Sequence, residues 1–146
     1  MKTVVLAVAL AFGFVATAQA RECRPVVRDA WLRLPPVAMP MLAGFARIEN
    51  PCPRAIVVTA ASSPAFGDVS LHESRRENGV SRMRAVPALA VPARGAVVLQ
   101  PGGLHLMLMQ PTAMPPKGAR VPVTLVMKDG RTIDARFEVR AAAPQK

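Results

Sequence analysis

Short apolar runs, cut repeatedly by proline and glycine, set the pattern of this chain. Within each run apolar and polar residues tend to alternate, and in an extended strand a period of two sends successive side chains to opposite faces. The runs predict strands at Val26–Leu34, Leu42–Glu49, Ile56–Ala61, Val69–Arg75, Val80–Val86, Ala96–Leu99, Leu104–Met109, Val121–Met127 and Thr132–Val139. No stretch of helix length keeps a 3.6-residue period without meeting a proline, which would remove a hydrogen bond and clash with the preceding turn. Strands joined by turns instead of helices predict an all-β fold, an antiparallel sandwich or barrel of about eight to nine strands. Asp129-Gly130 marks a tight hairpin between the last two. Neither an internal repeat nor a composition break divides the pattern, so one domain is expected over 21–140, followed by a disordered tail at 141–146.

Met1 to Ala20 departs from this pattern. Lys2 gives a positive start, Val4 to Val15 is an apolar run, and Ala18-Gln19-Ala20 has the small-residue form of a cleavage site. The run is too short to span a bilayer comfortably. The expectation is a cleaved signal peptide, residues 1–20, and, for a bacterial source, a periplasmic protein beginning at Arg21. Cys23 does not read as a lipid attachment site, because Arg21-Glu22 precede it in place of small residues.

Composition then narrows the chemistry. The 146 residues carry 19 Lys+Arg against 9 Asp+Glu, a net charge of +10, with 51% apolar residues. That apolar share excludes a disordered chain, and two His with two Cys exclude a Cys/His zinc cluster or a multi-disulfide scaffold. The charge alone would suit a nucleic-acid binder. The basic residues are scattered, however, with only Arg75-Arg76 and Arg82/Arg84 close together, and aromatics make up 4%. A stacking and phosphate-binding surface is therefore not expected. Cys23 and Cys52 both follow the leader, and a pair in an oxidising compartment reads as a disulfide.

The two histidines carry the remaining argument. In Leu104-His105-Leu106-Met107-Leu108-Met109 the leucines share one face, and His105, Met107 and Met109 share the other. His72 precedes Asn78-Gly79, a strong two-residue hairpin signal. That turn pairs Glu77 with Val80, sets Ser74 against Met83 and His72 against Ala85, and makes His72 and Met83 diagonal neighbours on one face. The same register puts Glu73 opposite Arg84. Either half alone reads better as a surface histidine and a methionine filling space. Together, His72, Met83, His105 and Met107 form a coherent soft-metal set, since thioethers select Cu(I) and imidazole suits copper in either oxidation state. No cysteine lies near them, which argues against a blue-copper centre. Met39 and Met41, at the Pro-rich loop Pro35–Pro40, and Met109 are candidate secondary ligands, with simple packing as the alternative. Met114 reads as loop, Met127 as core, and Trp31 as a core anchor.

The spacing His72-x10-Met83-x21-His105-x-Met107 resembles the signature of the PCuAC family of periplasmic copper chaperones. Flanking segments are similar as well: Ala30-Trp31-Leu32-Arg33, Ala43-Gly44-Phe45, Leu71-His72-Glu73, Met83-Arg84-Ala85-Val86 and Pro101 through Leu108. The resemblance implies a cupredoxin-like β-sandwich holding one Cu(I), with Cu(II) as a further state it could hold, at an accessible site made by those four ligands. It implies no catalysis, and delivery of copper to the CuA subunit of cytochrome c oxidase, directly or with a thioredoxin-like copper-transfer protein. The family's aromatic near Phe45 is often Tyr and is expected not to touch the ligands. The tail Ala141–Lys146 lacks the His/Met residues that bind further copper in longer members. Copper storage or resistance, and a metal-free sandwich serving as an interaction module, are the alternative functions. Arg75, Arg76, Arg82 and Arg84 surround half the expected site and would suit an acidic partner.

Overall fold

The computed structural model describes residues 23–142. The expected leader lies outside them, as does the expected tail apart from residues 141 and 142, which belong to no strand. Ten strands form: β1 (Val26–Arg33), β2 (Met41–Asn50), β3 (Ile56–Ser62), β4 (Phe66–Glu77), β5 (Val80–Ala85), β6 (Leu89–Val91), β7 (Gly95–Leu99), β8 (Leu104–Pro111), β9 (Arg120–Met127) and β10 (Thr132–Arg140). No helix occurs among the described residues.

The strands make one sheet ordered β5-β4-β8-β2-β1-β10-β9-β3-β6, with β7 paired to β2. The sheet folds over until β3 and β4, far apart in that order, come into contact. The enclosed face is the core, where Leu32, Leu42, Ile48, Leu106, Leu108, Leu125, Phe137 and Val139 are buried. Alternation sends their neighbours outward: Leu106 and Leu108 face in, so His105 and Met107 face out.

Two expectations need correction. The fold is not wholly antiparallel, because β1 and β10 run parallel through Trp31↔Glu138, Leu32↔Val139 and Arg33↔Arg140. A parallel pair needs a long crossover, and here nearly the whole domain supplies it. The second correction is β6, a strand that was not expected. Leu89–Val91 is only three residues long and sits between Pro87 and Pro92, yet it pairs with β3 and buries Leu89 and Val91.

Turn chemistry sets the register that matters for the site. Asn78 and Gly79 both adopt positive φ (50° and 79°), the pairing that a two-residue type I′ turn requires. The β4–β5 register follows from it: Glu77↔Val80, Ser74↔Met83, Glu73↔Arg84 and His72↔Ala85. At the β9–β10 end, Gly130 N donates to Met127 O and Met127 N to Arg131 O, both at 2.9 Å. Asp129-Gly130 thus end a three-residue loop, with Gly130 taking the left-handed position. Cys23 is bonded to Cys52 and ties the start of the domain to the turn after β2.

Candidate metal centre

The outward face of β4, β5, β8 and β2 collects the side chains singled out above. His105 is paired directly with His72, Met107 with Ser70 on one side and Ala43 on the other, and Met109 with Asp68 and Met41. Met83 lies opposite Ser74, diagonal to His72. The two halves of the set, each readable alone in the sequence, meet because β4 pairs with β8. Among the described residues no three His, Cys, Asp or Glu side chains converge on one point. The further soft donors beside these two imidazoles are the sulfurs of Met83 and Met107.

Facing outward does not make these residues exposed. His105 and Met107 are only 6% and 9% exposed, His72 is half-buried, and Met83 is 55% exposed. The segment between β1 and β2 covers the buried pair. Pro35, Pro36 and Met39 from that segment, with Met41, Phe45, Met83, His105 and Met107, line a pocket of about 290 Å³. Met39 and Met41 thus share the pocket with three of the four expected ligands. Met109 does not line it, nor does His72, which stands beside it with its ring stacked on that of His105 at 6.1 Å.

Hydrogen bonding decides which nitrogens are free. His105 Nδ1 is 2.9 Å from the carbonyl of Gly103. A carbonyl can only accept, so Nδ1 carries the proton, and in the neutral ring Nε2 keeps its lone pair. That Nε2 lies 3.3 Å from Met83 Sδ. Two lone-pair donors therefore face each other. Their separation is close to the ~3.5 Å spanned by a nitrogen and a sulfur at about 2.0 and 2.3 Å from one tetrahedral ion. His72 is oriented by a different chain of bonds. Ser70 Oγ is 3.0 Å from Asp68 Oδ2 and 3.1 Å from His72 Nε2. The single hydroxyl proton goes to the carboxylate, so His72 Nε2 donates to Ser70, and Nδ1 is left unprotonated. Carboxylate-backed imidazoles of this kind are typical of metal ligands. Burial, then the neighbouring His105, pushes the His72 pKa below its ordinary 6.5, partly opposed by Asp68.

Asp68, Ser70 and the Gly103 carbonyl did not stand out in the sequence. The available signal was the alternation Asp68-x-Ser70-x-His72, which puts all three on one face of a strand. Two other expectations change. The Phe45 ring does meet a site residue, 6.5 Å from the His105 ring centroid, because Phe45 shares the outward face of β2 with Met41 and Ala43. Trp31 is not in the core: Leu32 takes that position, while Trp31 packs outside against Phe45, ring centroids 4.6 Å apart and planes tilted by 40°, beneath the Arg140 guanidinium. Met127 is buried and Met114 is exposed.

Around Met83 the hairpin is charged. Arg84 donates twice to Glu73, at 2.7 and 3.0 Å, Arg75 adds a bridge at 3.0 Å, and Arg82 lies 3.7 Å from Glu77. The hydrogen bonds from Arg84 and then Arg75 hold the Glu73 carboxyl below the usual carboxylate range.

A family model described as "Putative lipoprotein LpqE-like" matches residues 26–139. The "Putative lipoprotein Lxx21020" of Leifsonia xyli subsp. xyli (strain CTCB07) is 34% identical over 115 residues, 78% of this chain and 68% of that protein. Among solved structures, the solution structure of CuI-DR1885 from Deinococcus radiodurans is 30% identical with a TM-score of 0.65, over 86% of this chain and 83% of that one. The copper-bound PCuAC domain from PmoF2 has a TM-score of 0.66 at 22% identity, over 80% of this chain and 92% of that domain. At that identity the likeness is one of fold, and the fold is that of the PCuAC β-sandwich.

Proposed function

The chain belongs to the LpqE-like family, and from that footing we propose that it is a copper chaperone holding one Cu(I) through His72, Met83, His105 and Met107. The observation that carries the reading is the pair His105 Nε2 and Met83 Sδ, 3.3 Å apart with no proton between them in the neutral ring. Met107 in the same pocket and His72 stacked alongside supply a second thioether and a second imidazole. Four neutral donors, two of them soft, suit Cu(I) better than hard divalent ions, which prefer carboxylate and carbonyl oxygens. The copper-bound likeness of CuI-DR1885 supports the same choice. Imidazole also leaves Cu(II) as a second state the site could hold.

A chaperone must retain its ion and then yield it, and the ligands differ in how firmly they are placed. His105 and Met107 are buried in a central strand of the sheet. Met83 is exposed on β5, which among the described residues pairs with β4 alone. Release begins at Met83: its sulfur departs first, and an acceptor's ligand takes the vacated position while copper stays monovalent. The proteins matched are named as a lipoprotein and as copper domains, not as enzymes, and no step here needs a catalytic residue. The recipient in this reading is the CuA subunit of cytochrome c oxidase or a thioredoxin-like copper-transfer protein, and the compartment is the periplasm. The disulfide fits an oxidising compartment, and it commits the sulfur of Cys23 to Cys52 instead of to a lipid.

Equilibrium dialysis against buffered Cu(I) tests the reading. One bound ion, lost in a His105→Ala/Met107→Ala variant, supports it. Absence of copper, or binding indifferent to that double substitution, overturns it.

A further inference from the structure

Met39 and Met41 are sulfur-bearing residues of the pocket that the four-ligand reading leaves unused. Met41 opens β2, where it pairs with Met109 two positions from Ala43, the partner of Met107. Met41 and Met107 are therefore diagonal neighbours on one face, within side-chain reach. Met39 reaches the pocket from the strap 34–40, which is fixed at both ends: Leu34 N donates to Arg140 O at 2.9 Å, and Gln110 N to Pro40 O at 3.1 Å. Pro35, Pro36 and Pro40 stiffen it further by restricting φ. Met39 is 39% exposed on this pinned strap, so packing uses only part of its side chain and its thioether is held at the pocket.

We propose that Met39 and Met41 form a second seat for a soft monovalent cation, with Met107 on the boundary between this seat and the four-ligand site. Among the described residues lining the pocket none is a carboxylate, and the charged one is Arg33, whose guanidinium lies 5.1 Å over the Phe45 ring. That lining excludes Mg²⁺ or Ca²⁺ as the occupant and leaves a soft ion bound by neutral sulfur. The inference rests on the proposed copper site and gives it an exchange route: Cu(I) gains thioether bonds to Met41 and Met39 as its bonds to the imidazoles break, with no change of oxidation state. Two thioethers bind more weakly than two imidazoles and two thioethers, so the second seat fills only after the first or during transfer.

Ag(I), a diamagnetic soft monovalent ion, is the probe, and ¹³C-labelled methionine methyl groups in the purified protein are the readout. The first equivalent shifts the Met83 and Met107 methyls, and the second shifts Met39 and Met41 while Met114 and Met127 stay in place. A Met39→Leu/Met41→Leu variant, close in volume, keeps the first step and binds the second equivalent about tenfold more weakly or worse, a loss of ~1.4 kcal/mol or more. If Met83 and Met107 respond but Met39 and Met41 do not move through two equivalents, the second seat is wrong and the first stands. If none of the four responds, both fail.

Discussion

At the scale of single residues, the proposed centre depends on groups outside its four ligands. Ser70 accepts from His72 Nε2–H and donates its own hydroxyl proton to Asp68, and the Gly103 carbonyl fixes His105 in the opposite tautomer. Ser70→Ala removes the acceptor that selects the His72 tautomer, and such outer partners are worth about 10- to 100-fold in metal affinity. We expect Cu(I) affinity to fall by about tenfold at neutral pH, with ¹⁵N spectra showing mixed tautomers for His72. Unchanged affinity with an unchanged tautomer would remove Ser70 from the account. In the proposed site protons would compete with copper for the same imidazoles. The His72 pKa lies below 6.5 chiefly because burial disfavours the cation. Its contribution to affinity, and to folding stability, is therefore fully present above 6.5 and is lost as pH falls through that lowered value. A Cu(I) competition titration from about pH 7 to pH 4 should show affinity declining, with the His72 part of the decline displaced to the acid side of free imidazole. Affinity flat across that window would rule out histidine ligation.

The element that decides assembly of the site is the β4–β5 hairpin. Its register was legible in the sequence because Asn78-Gly79 admits essentially one turn, and the turn dictates every pair back to His72↔Ala85. Likewise legible was the two-faced character of β8, from strict alternation of Leu with His and Met. What could not be read was the pairing of β4 with β8, which lays His72 against His105. The chain between them wanders through β5, β6 and β7, and no local turn fixes such a register. The strap was equally hidden, since a proline-rich loop announces that it is not a strand but not which face it covers. Asn78→Ala/Gly79→Ala removes the residues that tolerate positive φ, so the hairpin must shift or fray. Because all of β5 is exposed, the core should be little affected: we expect a small change in unfolding midpoint and a Cu(I) affinity at least tenfold weaker, equivalent to ~1.4 kcal/mol. Full affinity in that variant would mean Met83 is not held by the turn.

For the whole molecule, charge and shape point to one end of the sandwich. The net +10 of the chain is carried mainly by 15 arginines, and four of them, Arg75, Arg76, Arg82 and Arg84, stand on the hairpin with the exposed Met83. Glu73 and Glu77 offset part of this charge through the bridges to Arg75, Arg84 and Arg82, leaving a positive rim around the sulfur proposed to leave first. Such a rim speeds encounter with an acidic surface and is screened by salt. Arg82→Glu/Arg84→Glu should slow copper transfer to an acidic CuA domain by about tenfold at low salt and by much less at ~0.5 M salt, with Cu(I) affinity itself nearly unchanged. Transfer at the wild-type rate in low salt would argue against docking at this hairpin. X-ray absorption at the copper edge of the Cu(I)-loaded protein reads the proposed ligand set directly. The prediction is one copper per chain with two nitrogen and two sulfur neighbours, reduced by one sulfur in Met83→Leu; a shell of nitrogen and oxygen alone, or one that Met83→Leu leaves untouched, would contradict it.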